Sequence, residues 1–136
     1  MYKDDFIAQL RLELGNPALA FNSDNVCRLV IDNQLVIDLE WLDDDALYMY
    51  SDIGHSQLLS KEQLTLLLEA NAFGQGTGKA CIAINNQHVT LQQLLSNEAL
   101  NIANFTGELE LLIAHALQWQ NHLLTRSNIN SNETVT

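Results

Sequence analysis

Apolar residues in the first fourteen positions recur at helical spacing. Four of them fall on one face of a helix over residues 3–14: Phe6, Ile7, Leu10 and Leu14. Gly15 and Pro17 follow this run, and both residue types commonly end helices. The pattern predicts an N-terminal helix whose opposite side carries Leu12, exposed on an isolated domain.

The next segment predicts β-structure, because its apolar residues recur at every second position over most of its length. The predicted strands cover four ranges: 19–21, 26–31, 35–41 and 47–50. Asp- and Asn-rich turns separate them. After a Gly-rich segment, the ranges 79–85 and 88–92 predict a hairpin with its turn at Asn85 to Gln87.

A second helix is predicted over residues 60–73, where Ser60 and Gln63 fit a capping box. It carries two apolar stripes on nearly opposite sides. The first stripe would face the protein's own sheet: Leu64, Leu67 and Leu68. The second stripe would face either a further internal layer or a second subunit, and a chain this short has few elements left to cover it, which favours a subunit: Leu66, Ala70 and Phe73. These three residues are the predicted dimer interface.

A last helix over residues 107–125 shows one broad apolar face, and residues 126–136 are rich in Ser, Asn and Thr. We predict a mobile tail there. The order of helix, strands, helix, strands and helix indicates an α+β fold. With no internal repeat or linker, residues 1–125 are predicted to form a single domain.

The charge of the chain limits the classes of molecule that it is expected to bind. It has 17 acidic and 6 basic residues and a net charge of −11. The basic residues are scattered singly, so a nucleic acid or an anionic membrane is not expected as a partner. No apolar run is long enough to span a bilayer, and the N-terminus lacks a signal-peptide pattern. The expected location is the cytoplasm.

Candidate chemistry is sparse, and we predict no catalytic residue, no metal and no cofactor. Cys27 and Cys81 lie within strands and are expected to be buried, unreactive thiols. His115 and His122 are separated by about 10 Å of helical rise, too far to share a metal. The segment from Gly74 onward lacks the spacing and the hydroxyl of a phosphate loop, and is expected to end a helix.

Three local sequences together resemble the class I type III secretion chaperones, the CesT-like family. The segment LEANAFG at 68–74, followed by GTG at 76–78, is similar to the family's "LLEANLFG..TGG". DNVCRL at 24–29 resembles its "D..G.C.L", and LYMY at 47–50 with Ile53 and Gly54 resembles its "L.LY..IG". Asn25, Lys79 and the Gln92-Gln93 pair depart from the family pattern.

The resemblance implies an α-β-β-β-α-β-β-α fold with a twisted antiparallel sheet and three helices. It also implies a homodimer, formed largely through the second helix and neighbouring strands. The expected partner is the N-terminal segment of a secreted effector, bound in extended form, kept soluble and export-competent and delivered to the secretion apparatus. The secretion ATPase is a further expected partner, and no hydrolysis is implied.

Four residues are predicted to contribute to the effector-binding surface: Leu12, Leu19, Phe21 and Val36. Leu12 lies off the core face of its helix, and the others lie on early strands near a sheet edge. The alternative is that all four pack internally, since most large apolar residues serve cores. For the whole chain, a regulatory or sensory protein-binding module on the same fold is the alternative function, and an enzyme is a more distant one.

Overall fold

The alternating apolar residues in the middle of the chain form one five-stranded sheet in the computed structural model of the protein. The strands are β1 (Val26–Ile31), β2 (Leu35–Trp41), β3 (Leu47–His55), β4 (Cys81–Asn85) and β5 (His88–Leu95). Their order in the sheet is β1-β2-β3-β5-β4, and every neighbouring pair is antiparallel. β1 and β4 are therefore the two edge strands.

Three α-helices accompany the sheet: α1 (Lys3–Leu14), α2 (Lys61–Ala70) and α3 (Ile102–Val135). Three short 3₁₀ turns cover Ser56–Leu58, Ala72–Gly74 and Asn97–Ala99. The structure describes the backbone of residues 1–135 and the side chains of residues 1–123. The α+β order and the α-β-β-β-α-β-β-α succession predicted above are confirmed.

The core lies between one face of the sheet and the helices α1 and α3. Because side chains alternate along a strand, one face of the sheet is largely apolar and buried, except at the edge strand β4, where Ile84 is exposed. The Phe6 ring of α1 lies 5.0 Å from Phe105 of α3, edge to face, and 5.4 Å from Trp41 of β2. These aromatic contacts join both helices to the sheet, and the opposite sheet face carries no helix among the described residues.

Helix α2 begins as predicted, with a complete capping box. Gln63 N–H donates to Ser60 Oγ at 3.1 Å, and Ser60 N–H donates to Gln63 Oε1 at 2.8 Å. The helix ends at Ala70, three residues before the predicted end at 73. Asn71 explains this end, because its side-chain amide donates to the Ile82 carbonyl at 2.9 Å and accepts from the Ile82 N–H at 2.7 Å. The amide thereby ties the helix end to the edge strand β4.

Two other predicted boundaries differ. Residues 19–21 form no strand, because Asn22 instead closes a turn by accepting hydrogen bonds from the backbone of Asp24 and Val26. Helix α3 begins at Ile102, before the predicted 107, because the Asn101 side chain accepts from the Asn104 N–H. The helix continues to Val135, although the sequence suggested a separate tail over 126–136. The side chains of that tail lie outside the described residues, and its mobility stays a prediction.

The Gly-rich segment is packed against two helices. A Cβ placed on Gly76 would lie 2.7 Å from Ala70 Cβ and 3.2 Å from Trp119 Cζ2. The Gly76 carbonyl accepts a hydrogen bond from Trp119 Nε1 at 2.8 Å. The backbone therefore passes between α2 and α3 at a distance that leaves no room for a side chain.

Candidate protein-binding surfaces

The folded subunit leaves many large apolar side chains exposed although its core is filled. The exposed set is Tyr2, Leu12, Leu14, Val30, Val36, Leu58, Leu66, Leu68, Phe73, Ile84, Leu94 and Leu111. Single exposed apolar residues are ordinary on protein surfaces, so their grouping is the informative feature. Most of them form two groups, one around α2 and β4 and one along the sheet face away from the core, while the others lie at α1 and on α3.

The first group borders a groove between α2 and the edge strand β4, which we call the α2–β4 groove. Its volume is about 340 Å³, and it is lined by Leu64, Leu67, Leu68, Ile82, Ala83, Ile84 and Val89. Leu67 is buried beneath it, whereas Leu68 is 73% exposed at its border. Asn71 occupies the edge of β4 at Ile82, and the rest of this edge has no strand partner in the described sheet. An apolar groove beside an edge strand fits a helix or a strand of another chain.

The predicted dimer residues do not form one continuous stripe. Leu66 is exposed, but Ala70 is buried beside Gly76 on the same helix face as Leu67. Phe73 follows the end of α2, so the helical spacing that placed it below Ala70 does not apply. Its backbone is left-handed, with φ of 55°, and its side chain is 99% exposed.

The left-handed conformation of Phe73 is unusual, because it brings the Cβ of a bulky residue close to its own carbonyl oxygen. Gly74 follows with φ of 70°, so two successive residues turn the chain away from the helix axis. This turn directs a large ring into solvent rather than toward the core. We infer that the fold itself, and not a helical stripe, presents Phe73.

The four predicted effector-binding residues lie at different places. Leu12 is 84% exposed on α1, and Val36 is exposed on the sheet face opposite the core. Phe21 is half-buried, with its ring 5.9 Å from that of Trp41. Leu19 is only 8% exposed and belongs to the core, where Arg11 Nε donates to its carbonyl at 2.7 Å. Its predicted surface position is corrected, because residues 19–21 fold back onto the core instead of forming an edge strand.

The sheet face away from α1 and α3, here called the outer face, was not singled out by the sequence patterns. Strand register places Arg28, Asp38, Tyr50 and Gln92 in one row across it, and Val26, Glu40, Tyr48 and Leu94 in the next. The period-two pattern contained this signal, since these residues occupy the positions between the core residues. What the pattern lacked was the register that brings them together.

The outer face is polar and acidic around its tyrosines. Arg28 makes a two-point contact with Asp38, at 2.9 Å from Nε and 3.0 Å from Nη2. Burial raises the pKa of the Tyr50 phenol, and the nearby carboxylates of Asp38 and Glu40 raise it further. Arg28 acts in the opposite direction on this pKa, but its effect is smaller than that of either carboxylate.

The remaining titratable groups point to structure rather than to chemistry. Glu108 is buried and accepts from Gln93 Nε2 at 2.7 Å and from Lys79 Nζ at 2.9 Å, and these two contacts lower its pKa. Burial raises the pKa of the Cys27 thiol, as a buried cysteine requires. Cys81 is exposed at the start of β4, so its predicted burial is wrong: its side chain lies on the outer face, opposite Gln92.

Metal-binding and membrane-spanning features are both missing from the part of the chain that the structure describes. Among the described residues, no group of three or more His, Cys, Asp or Glu side chains is arranged to hold a metal ion. Within the same part of the chain, no helix is long and apolar enough to cross a membrane.

Several solved structures share this fold, and complexes of type III secretion proteins are among them. A chain of the ExsC–ExsE complex matches with a TM-score of 0.76 and 20% identity, over 88% of this chain and 92% of its own. A chain of the complex between the Yersinia pestis type III secretion chaperone SycH and a fragment of YscM2 matches at 0.66 and 21%, over 85% and 97%. A chain of the ExoU–SpcU complex from the type III secretion system of Pseudomonas aeruginosa matches at 0.67 and 15%, over 90% and 98%. At these identities the likeness shows the fold.

The family is decided by the sequence itself. No curated protein matches the chain. The sequence model of the Tir chaperone protein (CesT) family matches residues 5–120, which is most of the chain, and confirms the resemblance drawn from the segments at 24–29, 47–54 and 68–78. The protein belongs to the Tir chaperone protein (CesT) family.

Proposed function

We propose that this protein is a homodimeric, cytoplasmic chaperone of type III secretion that binds the N-terminal segment of a secreted effector. It keeps that segment unfolded, soluble and competent for export, and delivers it to the secretion apparatus and its ATPase. The observation that carries the proposal is the exposure of large apolar side chains on a subunit whose core is already complete. Membership of a chaperone family supports the same function.

The second copy of the chain is proposed to bind at the α2–β4 groove. Phe73 is retained from the predicted interface. Leu66 is exposed but lines a separate pocket with Gln118, Trp119 and His122, and Ala70 is buried against Gly76, so neither is placed in the groove. A fully exposed Phe ring offers a large apolar area at a low cost in conformational entropy when a partner covers it. The strained backbone of Phe73 fits this role, because such conformations persist mainly where function requires them.

The effector is proposed to bind along α1 and the first strands. Leu12, Phe21 and Val36 supply apolar contacts, and β1 supplies an edge whose outer backbone groups have no strand partner in the described sheet. An added strand gains affinity from main-chain hydrogen bonds, while side-chain contacts provide selectivity. A segment that orders on binding covers a large surface at modest affinity per unit area.

A pull-down from the native bacterium, read by mass spectrometry, tests the function. We expect one or a few secreted proteins, each held through an N-terminal region that limited proteolysis protects. Capture of a folded signalling protein through a globular domain would instead support the regulatory alternative, and a wild-type chain that retains no secreted protein would refute the proposal. Sedimentation at micromolar concentration tests the dimer, since a monomer there would contradict the α2–β4 interface.

A further inference from the structure

The outer face repeats one arrangement twice, with a carboxylate beside a tyrosine in each row. Asp38 lies opposite Tyr50, and Glu40 lies opposite Tyr48, in the register of β2 and β3. The rows differ on the side of β1, where Arg28 faces Asp38 but Val26 faces Glu40. The first carboxylate therefore has a guanidinium partner within the chain, whereas the second lies opposite an apolar residue.

Glu40 forms no salt bridge with any of the described side chains. The salt bridges in that part of the chain involve Asp38, Glu108 and Asp52, and none involves Glu40. The residue is half-buried, so its carboxylate is only partly solvated. An incompletely solvated carboxylate interacts more strongly with an added cation than a fully exposed one does.

A groove of about 370 Å³ opens beside this carboxylate. It is lined by Glu40, Tyr48, Tyr50, Asn85, Thr90 and Gln92. The lining provides two aromatic rings, a carboxylate and two side-chain amide oxygens, and none of these described residues is basic. Burial raises the pKa of the Tyr50 phenol, and the carboxylates of Asp38 and Glu40 raise it further, in line with the acidic lining of the groove.

We propose that this groove binds an arginine side chain carried by an extended peptide segment of the client protein. The guanidinium plane would stack on the Tyr48 and Tyr50 rings, while its N–H groups donate in pairs to the Glu40 carboxylate, as those of Arg28 already do to Asp38. A lysine ammonium is a point charge that can neither form this paired contact nor stack. The net charge of −11 draws basic segments toward the surface.

The inference rests on the proposed function only in taking the peptide from a client protein. The preference for arginine is argued from the residues of the groove alone. The probe is therefore a synthetic peptide, N-acetyl-valyl-arginyl-valinamide, compared with its citrulline analogue, which has nearly the same shape but no charge. Each is titrated into the ¹⁵N-labelled full-length chain and followed by the amide shifts. We expect saturable shifts at Tyr48, Tyr50 and Gln92, with binding of the arginine peptide about tenfold tighter.

Three variants make the test specific. Glu40→Gln should abolish the preference for arginine over citrulline, and Tyr48→Leu should weaken arginine binding, while Tyr48→Phe, which keeps the ring, should preserve it. As a control, Glu13→Gln on α1 removes one negative charge at a distant site and should leave the binding of both peptides unchanged. Equal binding of the arginine and citrulline peptides would overturn the inference, and so would equal binding of the lysine analogue. If Glu13→Gln lost as much of the preference for arginine over citrulline as Glu40→Gln, the inference would also be overturned, because net charge would then explain the preference.

The chaperone function and the arginine-binding groove can be refuted independently of each other. If the wild-type chain captures a secreted protein but does not distinguish arginine from citrulline, the groove inference falls and the chaperone function stands. If the arginine peptide binds through Glu40 but no secreted protein is captured, the function falls and the groove stands.

Discussion

Gly76 offers the sharpest test of how the Gly-rich segment is built into the fold. Its position between α2 and α3 leaves a Cβ only 2.7 Å from Ala70 Cβ and 3.2 Å from Ala70 Cα. Both atoms are fixed by the helix backbone, so neither can rotate away as the end of a long side chain could. Gly76→Ala therefore forces the loop and the helix apart.

The expected cost can be worked out from these contacts. Overpacking by one methyl group in a well-packed region costs about 1–3 kcal/mol. If the displaced loop also loses the 2.8 Å hydrogen bond from Trp119 Nε1 to the Gly76 carbonyl, about 1 kcal/mol is added. We expect Gly76→Ala to lower the free energy of unfolding by about 1–4 kcal/mol in total.

Gly107 provides the matched control. It lies inside α3, and a Cβ added there would have no heavy atom within 4 Å, so Gly107→Ala adds the same methyl group without a clash. Alanine in a helix interior is favoured over glycine by about 0.5–1 kcal/mol, so this variant should be more stable than the wild type. The two substitutions are chemically identical and should act in opposite directions.

Urea unfolding followed by tryptophan fluorescence measures both effects. Protein concentration must be equal in all samples, because the stability of a dimer depends on it. The reasoning would be refuted by a Gly76→Ala variant as stable as the wild type, since the loop would then yield without cost. A shared loss in both variants would point to a general intolerance of added volume rather than to the contact with Ala70.

Three further predictions test the binding surfaces and the buried carboxylate. Leu12→Asp should weaken effector capture in the pull-down with almost no change in melting temperature, whereas a large drop in that temperature would show that Leu12 serves the core. Phe73→Asn should shift the sedimentation equilibrium toward monomer without loss of secondary structure by circular dichroism, because asparagine tolerates the left-handed backbone; an unchanged dimer would remove Phe73 from the interface. Glu108→Gln should destabilise the protein at pH 7. Because Gln93 and Lys79 lower the pKa of Glu108 below its ordinary 4.5, the stabilisation is present above that pH and is lost on acidification. The difference in free energy of unfolding between variant and wild type, measured by urea unfolding, should therefore shrink toward pH 3.5. A difference that does not depend on pH would contradict this link between the pKa of Glu108 and stability.

Local patterns were sufficient where neighbouring residues decide the structure. The helix over 3–14 followed from its apolar spacing and from Gly15, and the start of α2 followed from Ser60 and Gln63, which satisfy each other's backbone within one turn. The strands with strict alternation, such as Leu35–Trp41, were also evident. The family resemblance rested on similarly short segments, each with a turn or a close backbone contact that few residues can make.

Tertiary contacts decided the rest, because they join residues far apart in the chain. The end of α2 depends on the bond between Asn71 and Ile82, and so the position of Phe73 was not available from helical spacing. Leu19 was recognisable as apolar, but only the folded chain shows that it packs inside.

The outer face illustrates the same division most clearly. Alternation along each strand assigns Glu40 and Tyr48 to the side away from the core, which the sequence determines by itself. Only strand pairing sets them opposite each other, and only the arrangement of α1 and α3 on the other face leaves them uncovered. The sequence thus specifies which side of a strand a residue occupies, while register and layer packing, which sum weak contacts across the whole chain, decide what stands beside it.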